Sequence, residues 1–328
     1  MKNKPIIIVN GEPNSVFLEI FFKTLKYKKF KSPLILISSL ELLRLQMKKL
    51  KFQKNIKLIN IKNLNNYKLD NNSINLINIK LNQKKAFIKI SNKSKSFIKN
   101  SFNTALTILN QGITDKLING PVSKKYFLDK KYLGITEYLA KKCSSKKVAM
   151  LIYNKDLSVC PITTHLPIKM VTKMITKKII YEKISLLNNF YLTNLGFKPK
   201  IAVLGINPHC ETIDNFNEDE KILKPAIKHL NNIGYKISGP YSADTIFLKN
   251  NRKKFNVIVG MYHDQVLTPL KTLYEYDAIN ITLGLPFTRI SPDHGPNAEM
   301  LGKNLSNPLS LIKAISFLDK NWLKPRKV

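Results

Sequence analysis

A chain of 328 residues with 44% hydrophobic residues and 12 Gly carries enough apolar material for two ordinary domains, which excludes a disulfide-stapled peptide, a collagen and a fully disordered chain. Its 55 Lys and Arg against 21 Asp and Glu give a formal charge of +34, an excess that usually suggests nucleic acid or an anionic membrane. Only four of the basic residues are Arg (Arg44, Arg252, Arg289 and Arg326), and the lysines run through the whole chain among Asn and Ile. The charge therefore reads as solvated Lys surface, without the Arg contacts and interleaved aromatics of a nucleic-acid face. Three cysteines, Cys143, Cys160 and Cys210, form no C-x-x-C pair and predict a reducing compartment, the cytoplasm. The apolar stretch 6–9 is too short for a signal segment and no later run approaches 18 apolar residues, so neither secretion nor membrane insertion is expected.

In chain order, residues 5–9 predict a buried strand. Val16, Phe17, Ile20, Phe21 and Leu25 then recur at helical spacing behind Asn14 or Ser15 as cap. A second strand is expected at 34–37, and Ser39 caps a helix carrying Leu42, Leu43 and Leu45. This β-α-β-α opening predicts an α/β fold, with parallel strands and helices on both faces. Residues 51–100 are monotonous in Lys, Asn and Ile. Alternation at 74–79 and 86–90 there fits short antiparallel strands, and the region is assigned no chemistry. A helix at 102–109 and a strand at 116–118 lead into Asn119-Gly120-Pro121-Val122-Ser123-Lys124. That segment fits an anion-binding corner and equally a strand-to-helix turn with a Ser cap. Further strands are expected at 148–152, 159–163, 201–204 and 257–260, with helices near 168–175, 178–187, 218–231 and 309–318.

Four of the five histidines follow predicted strands, whereas His229 falls mid-helix. Ligands of α/β folds bind at the carboxyl ends of strands. His165, His209 and His263 are therefore candidates for a three-imidazole divalent-metal site with positions open for substrate. Their separations of 44 and 54 residues form no local motif, and a loop histidine is equally well a hydrogen-bonded structural residue. Asp244 and the block from Asp264 through Lys271, Asn280 and Arg289 supply carboxylates and an anion-binding set. Arg289, one of four Arg and placed after an apolar strand at 279–287, reads as a carboxylate or phosphate clamp or as half of a structural ion pair. No G-x-G-x-x-G follows the first strand, and no P-loop or G-x-S-x-G elbow is present.

The blocks Gly120-Pro121-Val122-Ser123-Lys124, Thr136-Glu137-Tyr138-Leu139-Ala140, Thr164-His165-Leu166-Pro167, Asn207-Pro208-His209, Met261-Tyr262-His263-Asp264-Gln265, 280–287 and Asp293-His294-Gly295 collectively resemble the 4-hydroxythreonine-4-phosphate dehydrogenase family of pyridoxal phosphate biosynthesis. The resemblance implies a homodimer of two-domain α/β subunits, similar to the isocitrate and isopropylmalate dehydrogenases, with a cleft between domains and the active site at the subunit interface. The domains expected are 1–128 with 298–328, and 129–297. The resemblance further implies NAD or NADP as cofactor, with no binding residue assigned. A divalent metal (Zn, Mg, Co or Mn) would be held by three histidines shared between subunits, His165, His209 and His263, and a phosphorylated hydroxy acid would be bound by Thr136, Lys271, Asn280 and Arg289. Lys271, Asp244 and Asp264 take the catalytic roles. The implied reaction is oxidation of 4-phosphooxy-L-threonine with decarboxylation to 3-amino-2-oxopropyl phosphate. The alternatives are a dehydrogenase of phosphorylated threonate or erythronate and, from another class, a basic nucleic-acid binder on an enzyme-like scaffold; nucleic acid is the disfavoured partner. Two departures from the family pattern stand out. Ile135 replaces a substrate-contacting His, and Asn14-Ser15-Val16-Phe17 replaces a stretch with two glycines after Gly11-Glu12-Pro13.

Overall fold

The structure, a computed structural model, describes residues 3–129, 131–292 and 295–320. The described residues divide into two compact units: those up to Tyr138 together with 286–320, and Leu139–Leu285. The boundaries read from sequence, 128/129 and 297/298, fall about ten residues from this division. The Tyr138 ring packs edge-on against Phe102 and Phe127 at centroid distances of 5.9 and 5.2 Å, which holds residues beyond 128 to the first unit.

The chain begins β1 (Ile6–Val9), α1 (Phe17–Tyr27), β2 (Leu34–Ser38), α2 (Leu40–Lys49), β3 (Ile56–Leu58), β4 (Ile74–Asn78), α3 (Lys95–Asn110), β5 (Lys116–Asn119) and α4 (Ile135–Lys142). It continues through β6 (Ala149–Tyr153), β7 (Ser158–Pro161), α5 (Val171–Met174), α6 (Lys177–Phe190), β8 (Ile201–Leu204), α7 (Lys224–Asn232) and β9 (Ile237–Tyr241). Then come α8 (Ala243–Ile246), α9 (Lys249–Arg252), β10 (Val257–Gly260), α10 (His263–Tyr274), β11 (Ile279–Leu283), β12 (Thr288–Pro292) and α11 (Leu309–Asp319).

In the first unit the strand order is β3-β4-β2-β1-β5-β12, and every neighbouring pair is parallel. β1 and β2 are wholly buried apolar strands, as a parallel sheet covered on both faces requires. The Ser39 hydroxyl caps α2 by accepting from the Leu42 N–H. β4 is parallel to β2 and β3, which corrects the antiparallel expectation, and residues 86–90 form no strand. Their backbone polar groups are met by side chains instead. Asn14 Oδ1 accepts from the Ile88 N–H at 3.0 Å and Gln46 Nε2 donates to the Ala86 carbonyl at 2.9 Å.

In the second unit the order is β11-β6-β7-β10-β8-β9. β11, β6 and β7 pair antiparallel, whereas β7, β10, β8 and β9 are parallel neighbours. The sheet is therefore mixed. Its core gathers Ile152, Val159, Ala202, Leu204, Ile258, Val266 and Leu270, all buried. The strand expected at 279–287 ends at Leu283, because Gly284 takes φ +87°, a left-handed value that interrupts an extended run. Arg289 accordingly lies inside β12 and not after a strand. Among the described residues no helix is long and apolar enough to cross a membrane.

Candidate functional site

β7, β10 and β8 lie side by side and point the same way, so their carboxyl ends open at one edge of the sheet. His165 follows β7 by four residues, His263 follows β10 by three and His209 follows β8 by five. The imidazoles of His165 and His263 face each other with ring centroids 5.7 Å apart. Nδ1 of His263 pairs with Asp264 Oδ1 at 2.6 Å, and Nδ1 of His209 hydrogen-bonds Ser242 Oγ at 3.3 Å. With Nδ1 occupied, Nε2 of each ring is the nitrogen presented outward, the arrangement in which protein groups orient metal-binding histidines. This donor chemistry fits a divalent ion. Among the described residues, however, no three His, Cys, Asp or Glu side chains come close enough together to hold one.

Asp244 lies on α8, two residues past the Ser242 that holds His209, and enters from the end of β9, the strand beside β8. Asp264 and Lys271 both lie on α10, seven residues apart, which puts them on one face of the helix. Asn280 is on β11, its Oδ1 buried without a hydrogen-bond partner. His229 lies on α7 with its ring 4.9 Å from that of Tyr181, as its mid-helix position suggests. Asp293 and His294 fall outside the described residues.

Thr136 and Arg289 belong to the first unit. Arg289 is fully buried; its Nε donates to Asn119 Oδ1 at 2.7 Å and its Nη1 to Thr136 Oγ1 at 3.4 Å. Burial lowers its pKa from 12.5 to about 10 against the opposing pull of the Glu137 carboxylate, so it remains a cation at neutral pH. In the 119–124 segment Ser123 Oγ accepts from the Tyr126 N–H at 3.2 Å, the cap that the sequence allows.

Sequence reasoning missed the residues that tie these parts together. Asn119 gave no sign of holding Arg289, because the two are 170 positions apart. Asp219 and Gln265 likewise act on groups 12 to 60 residues away. Gln265 carried a signal in its place in the Tyr262-His263-Asp264-Gln265 block, and Asn119 in heading the Asn119–Lys124 segment, whereas Asp219 carried none.

Two α/β units, with imidazoles at adjacent parallel strand ends and no glycine-rich dinucleotide loop, define the two-unit α/β architecture of the isocitrate dehydrogenase type. The isocitrate dehydrogenase of Methylococcus capsulatus shares that fold alone, with a TM-score of 0.51 at 8% identity over 96% of this chain and 84% of that one. A family model described as pyridoxal phosphate biosynthetic protein PdxA matches residues 29–318, and the chain belongs to that family. Curated relatives carry the name 4-hydroxythreonine-4-phosphate dehydrogenase. That of Sulfurihydrogenibium sp. is 46% identical over 61% of this chain, a match that spans 63% of the relative's length. That of Aquifex aeolicus is 31% identical over 97% of this chain and 98% of its own. The crystal structure of 4-hydroxythreonine-4-phosphate dehydrogenase from Klebsiella pneumoniae superimposes with a TM-score of 0.82 at 26% identity, covering 96% of this chain and 98% of that one.

Proposed function

We propose that this chain catalyses the NAD(P)-dependent oxidation of 4-phosphooxy-L-threonine, with decarboxylation to 3-amino-2-oxopropyl phosphate, on the route to pyridoxal phosphate. The observation that carries the reading is the placement of His165, His263 and His209 at the ends of three adjacent parallel strands, with Nδ1 of the last two held by Asp264 and Ser242. His165, His209 and His263 would hold a divalent metal through Nε2. When bound, that ion supplies Lewis-acid polarisation of a substrate oxygen and NAD or NADP supplies the hydride acceptor.

The remaining roles fall to the chain's own side chains. Asp264 fixes the His263 ring, and Asp244 stands beside the Ser242 support of His209 as a second carboxylate for proton handling. Lys271 takes the proton of the reacting hydroxyl and returns one after CO2 is lost. Asn280 offers its buried Oδ1 to a substrate donor, and Arg289 with Thr136 binds anionic substrate groups. Ile135, the first residue of α4, is aliphatic where the family places a His, which favours phosphorylated threonate or erythronate as the second reading of substrate choice.

The reading extends to a homodimer in the cytoplasm. All three cysteines are free, in keeping with a reducing compartment. Ile168, Met170 and Met174 are exposed just after His165, an apolar surface that association with a second copy would cover. The test is NADH or NADPH formation by the purified protein with 4-phosphooxy-L-threonine, phospho-threonate and phospho-erythronate, before and after chelation. The expected result is turnover of 4-phosphooxy-L-threonine that is lost on chelation and restored by a divalent metal. No turnover of any of the three with metal present would refute the dehydrogenase reading.

A further inference from the structure

We propose that Asn119 is a positioning residue, which holds the Arg289 guanidinium in the orientation that receives an anionic group of the substrate. The proposal rests on the reading of Arg289 as a substrate-binding residue. β5 and β12 are parallel, and Arg289 stands opposite Leu117. Side chains of a strand alternate between faces, so Asn119, two residues beyond Leu117, projects from the same face as Arg289. Two strand residues advance about 6.6 Å, a distance that an extended arginine side chain spans. The guanidinium is thereby carried from the interior of β12 to the carboxyl end of β5, the edge of a parallel sheet at which ligands bind. There its Nε donates to Asn119 Oδ1 at 2.7 Å and its Nη1 to Thr136 Oγ1 at 3.4 Å.

The Asn119 amide is itself fixed. Its Nδ2 donates to the Gly120 carbonyl at 2.8 Å, which leaves Oδ1 as the end turned to Arg289. Gly120 is held in turn: its N–H donates to the Val9 carbonyl at 2.8 Å, and a Cβ on it would collide with the Asn10 carbonyl and the Phe17 ring. On the next residue, the Pro121 carbonyl accepts from the Glu12 N–H at 2.8 Å. The orientation of the guanidinium therefore traces back, through one amide, to β1 and the loop that follows it.

Arg289 and Asn119 are both buried to 1% exposure or less, and a cation buried in a strand costs more than an aliphatic residue would. Asn119 and Thr136 are neutral acceptors. They direct the fork without cancelling its charge, and Arg289 stays a cation at neutral pH despite its burial. A guanidinium tied at Nε and directed at Nη1 meets the substrate already oriented, so less ordering remains to be done on binding. Loss of the Asn119 acceptor should weaken substrate binding and leave the chemical step intact, which reads as a higher KM at an unchanged kcat.

The experiment measures KM and kcat for 4-phosphooxy-L-threonine, with divalent metal and NAD(P) in excess, in the full-length wild type, Asn119→Leu, Asn119→Asp, Arg289→Met and the double variant Asn119→Leu with Arg289→Met. Thermal unfolding of each runs alongside. Asn119→Leu keeps the size and loses both hydrogen bonds, whereas Asn119→Asp keeps an acceptor for Nε and sets a negative charge against the guanidinium. Both should raise KM by about 10- to 100-fold, the worth of one hydrogen bond to a charged group, with kcat within about threefold of wild type. Because Asn119 acts through Arg289, the double variant should show the KM of Arg289→Met alone. It should also melt above Asn119→Leu, since removing both partners strands no buried cation. Wild-type KM in either Asn119 variant, or additive losses in the double variant, would overturn the proposal, and Asn119→Asp decides it should Asn119→Leu not fold. Wild-type KM in Arg289→Met would instead overturn the substrate-binding reading of Arg289, and no turnover in the wild type the dehydrogenase reading, each taking the proposal with it.

Discussion

The sealed polar groups of the first unit and the exposed site groups of the second behave in opposite ways. In the first, a set of ionisable groups is sealed. Glu12, Glu19 and Arg289 are buried to 1% exposure or less, and Glu12 accepts from the Asn14 N–H and the Ser94 hydroxyl. Asn14 and Gln83 exchange two side-chain amide bonds across 69 positions. In the second, His209, Asp244 and Asp264 are exposed and His263 is half-buried. A sealed polar group is coupled to folding because losing its partner leaves a desolvated atom behind, whereas an exposed one is restored by water. Substitutions should therefore cost stability at the sealed groups of the first unit and function alone at the exposed groups of the second.

His209→Ala is expected to have the largest effect. An exposed ring held by one 3.3 Å bond contributes little to folding, yet its loss should lower kcat/KM by at least about 1000-fold, or roughly 4 kcal/mol. Steady-state kinetics with thermal unfolding checks both halves, and a large drop in melting temperature would break the contrast. Arg289→Met should cost about 3 kcal/mol of folding stability, measured by urea titration, because it strands Asn119 Oδ1 and removes a charged hydrogen-bond donor from the core. Unfolding at the wild-type midpoint would show that the guanidinium is not structural.

Asn14→Ala should cost about 2 kcal/mol, since it leaves the Gln83 amide and the Ile88 N–H without their partner. It should also speed proteolysis within residues 79–94. Equal cleavage rates in variant and wild type would mean that this segment is held by something else. The smallest effect is a pH dependence. Burial raises the Glu12 pKa above its ordinary 4.5, against the lowering pull of its hydrogen bonds. The folded state then keeps this proton to a higher pH than the unfolded chain does. The resulting stabilisation is complete below about pH 4.5 and is lost as the pH rises through the folded value. Glu12→Gln should flatten that part of the stability–pH curve, and an unchanged curve would remove Glu12 as its source.

What was legible in the sequence divides along the same line. Buried apolar strands such as Ile6–Val9, Ile201–Leu204 and Val257–Gly260 announce themselves by composition, and histidines following such strands point to the site. Sheet order is a long-range property, so the adjacency of β7, β10 and β8 that brings those loops to one edge could not be read. β9 was missed because Gly239 and Pro240 interrupt it, and α10 because Pro269 lies inside it. Residues 51–100 looked empty of meaning, yet Gln83, Ile88 and Ser94 supply partners to the loop after β1 and Ala86 supplies one to Gln46 on α2. Their role lies in contacts with Glu12, Asn14 and Gln46, which no local pattern displays.

The most direct test of the account is anomalous X-ray scattering from crystals of the full-length protein soaked with Co2+, in wild type and in His209→Ala. The account predicts one strong peak per chain in the wild type, with Nε2 of His165, His209 and His263 at about 2.0–2.1 Å, as expected for imidazole ligands of a divalent ion, and loss of that peak in the variant. A wild-type peak bound by other residues, or a peak that survives unchanged in His209→Ala, would contradict it.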